Sequence, residues 1–208
     1  MDNRFNEVFP LFDLLNTKVP SGSCLIDVFP SCFFFHPFIK SIDNNLEDRS
    51  HQLNNIAIMS SLDYSYMLII SNASIKNNIA TSIIYIHVHN RPIIKMIHHT
   101  ANVTSTEAKL YAIRCGINQA VNLPGILKIV VITNSIHTAK KIFNSAIHPF
   151  QVYSATISKE LRKFFITNND NSIAFWECPS QCNWPLFKSI DRDSKQFQQT
   201  PLFPYKSS

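Results

Sequence analysis

The sequence predicts one α/β domain, a mixed β-sheet with helices on its faces, flanked by extensions. Three observations predict it. Short apolar runs alternate with longer amphipathic stretches, the pattern of strands interleaved with helices. The β-branched run 79–90 closes on Asn90-Arg91-Pro92, a turn signal, and returns as 93–101, so the two form an antiparallel hairpin. The stretch 104–121 opens on Thr104 with Glu107 three residues on, the spacing of a helical capping box.

Taken in order, residues 1–60 hold no sustained period, and Pro10, Pro20, Pro30 and Pro37 punctuate them. Within this extension, FPSCFFFHPFI (29–39) is the most apolar patch, too short and too interrupted to span a bilayer, and is expected to pack on something. Residues 41–55 are polar and acidic and read as a linker or a loose helix. YMLII (66–70) reads as a short buried strand ending at Ser71-Asn72. The hairpin 79–101 follows, then the helix 104–121, with apolar residues on two faces and therefore burial on most sides. KIVVIT (128–133) is a fully apolar strand, 135–145 a short helix with basic residues outward, and 151–166 an amphipathic helix. SIAFWE (172–177) is a strand, and a final helix runs from Trp184 to about Asp193. The expected boundaries are 1–60 for the upstream extension or linker, 61–195 for the domain and 196–208 for a C-terminal tail.

Charge and composition narrow the classes. A hydrophobic content of 45% with 16% charged residues argues against a disordered chain. The formal net charge of +5 fits contact with nucleic acid only weakly. Five cysteines, an odd count, behind an acidic and proline-broken N-terminus argue for reduced thiols in an intracellular setting, cytoplasm or nucleus, and an apolar patch too short to span a bilayer argues for no membrane partner.

Five pieces of the chain carry more: SNASIKNN (71–78), VTSTEAKLYAIRCGINQA (103–120), IVVITNSIHTAKKIF (129–143), FWECPSQCNW (175–184) and FKSIDRDSKQF (187–197). In this order they resemble the ribonuclease H domain of retrotransposon (reverse transcriptase) polyproteins, in a divergent branch, over about residues 62–200. The resemblance implies a ribonuclease H-like α/β fold, a five-stranded mixed sheet whose first three strands are antiparallel, flanked by helices. It implies metal-dependent hydrolysis of the RNA strand in RNA–DNA hybrids, with two Mg²⁺ or Mn²⁺ ions held by four carboxylates. Residues 1–60 are similar to the polyprotein region that precedes such domains. The implied partners are an RNA–DNA hybrid or other nucleic acid, and a reverse transcriptase domain.

Carried over position by position, the first Asp falls on Asn72, the Glu on Glu107, the second Asp on Asn134 and the last on Asp191, with Asp193 the lesser candidate. Glu107 and Asp191 are then the surviving metal ligands. Two lost negative charges are expected to impair or abolish cleavage, because hard cations need anionic oxygens to hold them. The remaining function classes are a non-catalytic hybrid- or nucleic-acid-binding module and a relic without function.

Each of these residues also has a structural reading. Glu107 belongs to the capping box and to the first helical turn, where a carboxylate is favoured by the helix dipole. Asn72 and Asn134 suit strand ends and helix caps, and Asn134 is placed to cap the helix after it. Cys178 and Cys182 lack a second ligand pair at zinc spacing and are expected to pack near Trp176 and Trp184. The pairs His87/His89 and His98/His99 are expected to face solvent. Lys140, Lys141, Lys159, Arg162 and Lys163 form a solvated face that on this fold can meet a phosphate backbone. The 27 Ile and 20 Asn against 3 Gly fit an AT-rich coding sequence, and each Asp-to-Asn replacement is one G-to-A change away. The coding DNA is therefore expected to be AT-rich, and a balanced base composition would remove this explanation of the two amides.

Overall fold

The computed structural model describes residues 24–39, 45–143 and 151–197. In chain order these hold a one-turn helix α1 (Leu25–Val28), a 3-10 turn (Pro30–Cys32), β1 (Phe33–His36), α2 (Leu46–Leu62), β2 (Tyr66–Lys76), β3 (Ile79–Val88) and β4 (Ile94–Ala101). After these come α3 (Ser105–Val121), β5 (Lys128–Thr133), α4 (Ile136–Lys141), α5 (Gln151–Thr167), β6 (Ser172–Glu177) and α6 (Pro185–Phe197). The strands form one mixed sheet in the order β1-β6-β5-β2-β3-β4. β2, β3 and β4 pair antiparallel, whereas β2–β5, β5–β6 and β6–β1 are parallel.

The sheet has six strands where five were expected, and the added one comes from the apolar patch upstream. Pro30 and Pro37 bracket a run too short to read as a strand by itself. Its four residues gain a ladder from β6, Phe33 opposite Ile173 through His36 opposite Trp176. Alternation then sends Phe33 and Phe35 to one face. Phe33 meets the rings of Phe143 and Phe165 at 4.8 and 4.9 Å, and Phe35 stacks on Phe175 at 5.2 Å.

Two other expectations are settled beside it. Of the polar stretch read as a linker or loose helix, residues 46–55 are the start of α2, a 17-residue helix whose N-cap Asn45 accepts from the Glu47 N–H, and residues 41–44 lie outside the described ones. Its inward residues are Arg49, Leu53, Ala57 and Ser60, so the buried stripe is half polar. Strand β2 does not stop at residue 70 but runs to Lys76. Asn77 and Asn78 (φ 52° and 59°) then make the two-residue turn into β3, since a turn with two left-handed residues matches the twist of the flanking strands.

Helices cover both faces. On one, Met67, Ile69, Ile84, Val131, Ile173 and Phe175 pack against α3, α4 and α5. On the other, Leu68, Ile70, Ile83, Val130 and Ile132 pack against Leu53 of α2 and against Trp184, Phe187 and Ile190 around α6. The capping box of α3 is formed in full, with the Thr104 side chain on the Glu107 N–H and the Glu107 side chain on the Thr104 N–H. Ser135, not Asn134, caps α4 by accepting from the Thr138 N–H. That helix is shorter than the expected 135–145, and residues 144–150 lie outside the described ones.

α3 approaches β2 closely at Gly116, where an added Cβ would lie 2.5 Å from Ile69 Cγ2. Ile69 is fully buried and β-branched, so it has little freedom to yield. Gly116→Ala is therefore expected to destabilise the domain by about 1–3 kcal/mol despite the better helix propensity of alanine, measured as a lower urea midpoint.

Candidate functional site

The parallel ladder between β2 and β5 ends with Ser71 opposite Thr133. Asn72 and Asn134 are the next residue on each chain. Asn72 still pairs with Ile83 of β3, so its backbone is fixed from one side only. By alternation its side chain shares a face with Leu68 and Ile70, the face that α6 covers, and the residue is only 3% exposed.

Three of the four positions singled out in the sequence meet here. Asn72 Nδ2 donates to Asp191 Oδ1 at 3.2 Å, and Asn134 Nδ2 donates to Asn72 Oδ1 at 3.3 Å. Asn72 Oδ1 also accepts from the Ala73 N–H at 2.9 Å. The orientation of the Asn72 amide follows from its neighbours. A carboxylate accepts only, so Nδ2 must face Asp191, and a backbone N–H donates only, so Oδ1 must face Ala73. Asp191 Oδ2 accepts from Lys195 Nζ at 2.6 Å, one helical turn along α6. Asn134 Oδ1 is buried and has no hydrogen-bond partner among the described residues.

Glu107 stands on the other helical layer. Its half-buried side chain accepts from the Thr104 N–H at 3.2 Å as part of the capping box. The adjoining Ala108 packs with Ala73 and Ala80, which brings the first turn of α3 level with Asn72. Among the described residues no hydrogen bond joins Glu107 to the other three positions.

The two carboxylates of α6 have different tasks. Asp193, the lesser candidate, is 9% exposed and accepts from Tyr85 Oη at 2.5 Å and from Lys95 Nζ. The Lys95 ammonium first, and the Tyr85 hydroxyl second, hold its carboxyl below the usual carboxylate range. Asp193 thus anchors α6 to β3 and β4, while Asp191 reaches β2. Sequence reasoning missed Lys195 and the Tyr85–Lys95–Asp193 tie. The first had a visible signal, the four-residue spacing of Asp191 and Lys195 on one helix. The second had none, since its members are 98 and 108 residues apart.

No protein-family model matches the sequence, and no curated protein matches it. Among the described residues, no helix is long and apolar enough to cross a membrane.

The donor set does not fit the two-cation site that the resemblance implies. The cluster presents one carboxylate, already bonded to an ammonium and an amide, and two amides that bond each other. Mg²⁺ gives up its water reluctantly and favours anionic oxygens. Among the described residues, no group of three or more His, Cys, Asp or Glu is placed to hold a metal ion.

Elsewhere, Cys178 and Cys182 are buried beside Trp184, and burial pushes the Cys178 thiol far up from its ordinary value. His87, His89, His98 and His99 are all half-buried rather than solvent-facing: His89 Nδ1 lies 2.5 Å from the Ser61 carbonyl, His99 Nδ1 lies 3.1 Å from Thr81 Oγ1, and the His98 ring sits edge-on to Tyr111 at 5.1 Å. Lys140 and Lys141 on α4, and Lys159, Arg162 and Lys163 on α5, belong to the helical layer opposite α6, with Lys163 paired to Glu160.

The lowered pKa of Asp193 has a pH consequence. A depressed folded-state pKa adds stability above the unfolded value, and that stability is lost as pH falls through the folded value. Asp193→Asn is expected to cost about 1.5–3 kcal/mol at pH 7. The gap from the parent should close below about pH 4, in urea melts taken across pH.

Proposed function

We propose that this chain is a ribonuclease H-like domain of retroelement origin whose hydrolytic site no longer assembles, leaving a module that contacts RNA–DNA hybrid or other nucleic acid without cutting it. What supports the reading is the meeting of Asn72, Asn134 and Asp191. These positions came from separate motifs, 62 and 119 residues apart, and they converge through two hydrogen bonds at the end of the β2–β5 ladder. The antiparallel β2–β3–β4 half of a mixed sheet agrees with the three antiparallel strands that the resemblance implies, in a sheet of six strands and not five. The amides at positions 72 and 134 support loss of cleavage, because a phosphodiester cut of this kind relies on cations that carboxylates hold.

In this reading nucleic acid meets the basic face of α4 and α5, where Lys140 and Lys159 are exposed. Contacts of that kind are made to phosphates and weaken with salt.

A cleavage assay on RNA–DNA hybrid with Mg²⁺ or Mn²⁺ tests the first half. The wild-type rate is expected more than about 100-fold below that of the Asn72→Asp/Asn134→Asp variant, since losing direct ligands exceeds the 10–100-fold cost of losing outer-shell groups. Comparable turnover in the two would overturn it. Hybrid binding across a salt series tests the second half. A falling affinity, made shallower by Lys140→Ala/Lys159→Ala, is the expected result, and absence of binding at low salt would leave only the relic.

A further inference from the structure

We infer that Asn134, Asn72, Asp191 and Lys195 form a cation-free staple, a hydrogen-bonded chain that ties β5, β2 and α6 together without metal and leaves the cluster unresponsive to Mg²⁺. The ledger of donors and acceptors is nearly closed. Asp191 Oδ1 accepts from Asn72 Nδ2, and Asp191 Oδ2 from Lys195 Nζ. Asn72 Oδ1 accepts from Asn134 Nδ2 and from the Ala73 N–H. Asn134 Oδ1 is the one cluster oxygen left without a partner among the described residues. A single neutral oxygen and a carboxylate already held on both sides give Mg²⁺ too little to replace its water.

The amides decide the sign of the interaction. A carboxylate at position 72, a residue only 3% exposed, has no N–H to offer, and it would place a second anion within hydrogen-bond reach of Asp191, whose side chain is 41% exposed. Two such groups repel unless one is protonated or a cation lies between them. A carboxylate at position 134 would likewise turn the 3.3 Å Asn134–Asn72 hydrogen bond into two acceptors facing each other. Lys195 supplies positive charge from the solvent side, where its side chain is 67% exposed. Its exposed pair adds little stability by itself, so the staple rests chiefly on the buried Asn72 amide and the half-buried Asn134 amide.

The staple stands on the hydrogen bonds alone. Only the expected Mg²⁺ response of the variants rests on the two-cation ancestry proposed above. Thermal melting and calorimetric Mg²⁺ titration of the full chain test both. The wild type is expected to melt at one temperature in EDTA and in millimolar MgCl₂, with no binding heat. Asn72→Asp should melt about 4–10 °C lower in EDTA and regain most of this in MgCl₂. Asn134→Asp, at a half-buried position, carries the same test should Asn72→Asp fail to fold. Lys195→Gln on the wild-type background should stay indifferent to Mg²⁺, and on the Asn72→Asp background it should tighten Mg²⁺ binding. A wild-type melting temperature that rises with Mg²⁺ overturns the inference, as does an Asp variant as stable as wild type in EDTA. A destabilised Asp variant that Mg²⁺ cannot rescue keeps the staple and overturns the ancestry.

Discussion

Strand β2 is hydrogen-bonded along both edges as far as Ser71, and beyond it along the β3 edge alone. The side chains that face α6 follow that step. Leu68 and Ile70 lie where the sheet is continuous and are apolar; Asn72 and Ser74 lie where β5 has ended and are polar. Helix α6 crosses the same boundary. Its Phe187 and Ile190 join the apolar cluster, while Asp191 meets Asn72, and Ser74 Oγ lies 3.5 Å from the Ser194 carbonyl. The missing neighbour strand leaves room for polar side chains from β2, β5 and α6 to converge.

The polar groups that meet here satisfy one another except at Asn134 Oδ1, and burial without a partner is costly. Amides suit the task because each carries both donors and acceptors, whereas a set of carboxylates carries acceptors only. A comparable economy operates at the ends of β1 and β6. There the buried guanidinium of Arg49 donates to the carbonyls of His36 and Glu177 and lies 4.9 Å over the Trp176 ring. One cation thereby satisfies the open ends of two parallel strands and fastens α2 to both. The planar fork of arginine is suited to this, because its donors point at two acceptors at once. At the other edge, Tyr85 and Lys95 hold Asp193, so α6 is fixed at β2, β3 and β4.

Much of the fold was legible where period and composition agreed. The bounds of β5 and β6, and the capping box of α3, follow from contiguous apolar runs and from Thr104 with Glu107. Legibility failed where burial involved polar residues. The inward stripe of α2 contains Arg49 and Ser60, whose inward place depends on carbonyls of other segments or on the helix itself. The far half of β2 reads as a loop because Ser71, Asn72 and Ser74 are turn formers by composition. Four residues of β1 between two prolines become a strand only because β6 offers them a ladder.

The candidate site divides the same way. The sequence by itself determined that positions 72 and 134 are amides and that Glu107 caps a helix, because residue chemistry and local spacing suffice for these; the four positions were singled out by the resemblance. Tertiary structure alone decided that Asn72, Asn134 and Asp191 touch while Glu107 stays on its own cap. It also decided that Asp191 bonds Asn72 while Asp193 is held by Tyr85 and Lys95, and that Lys195 completes the chain of hydrogen bonds. The physical reason is that local signals reach only a few residues along the chain. The partners of a buried polar group are chosen by which strands and helices pack together, and here they lie as many as 119 residues apart.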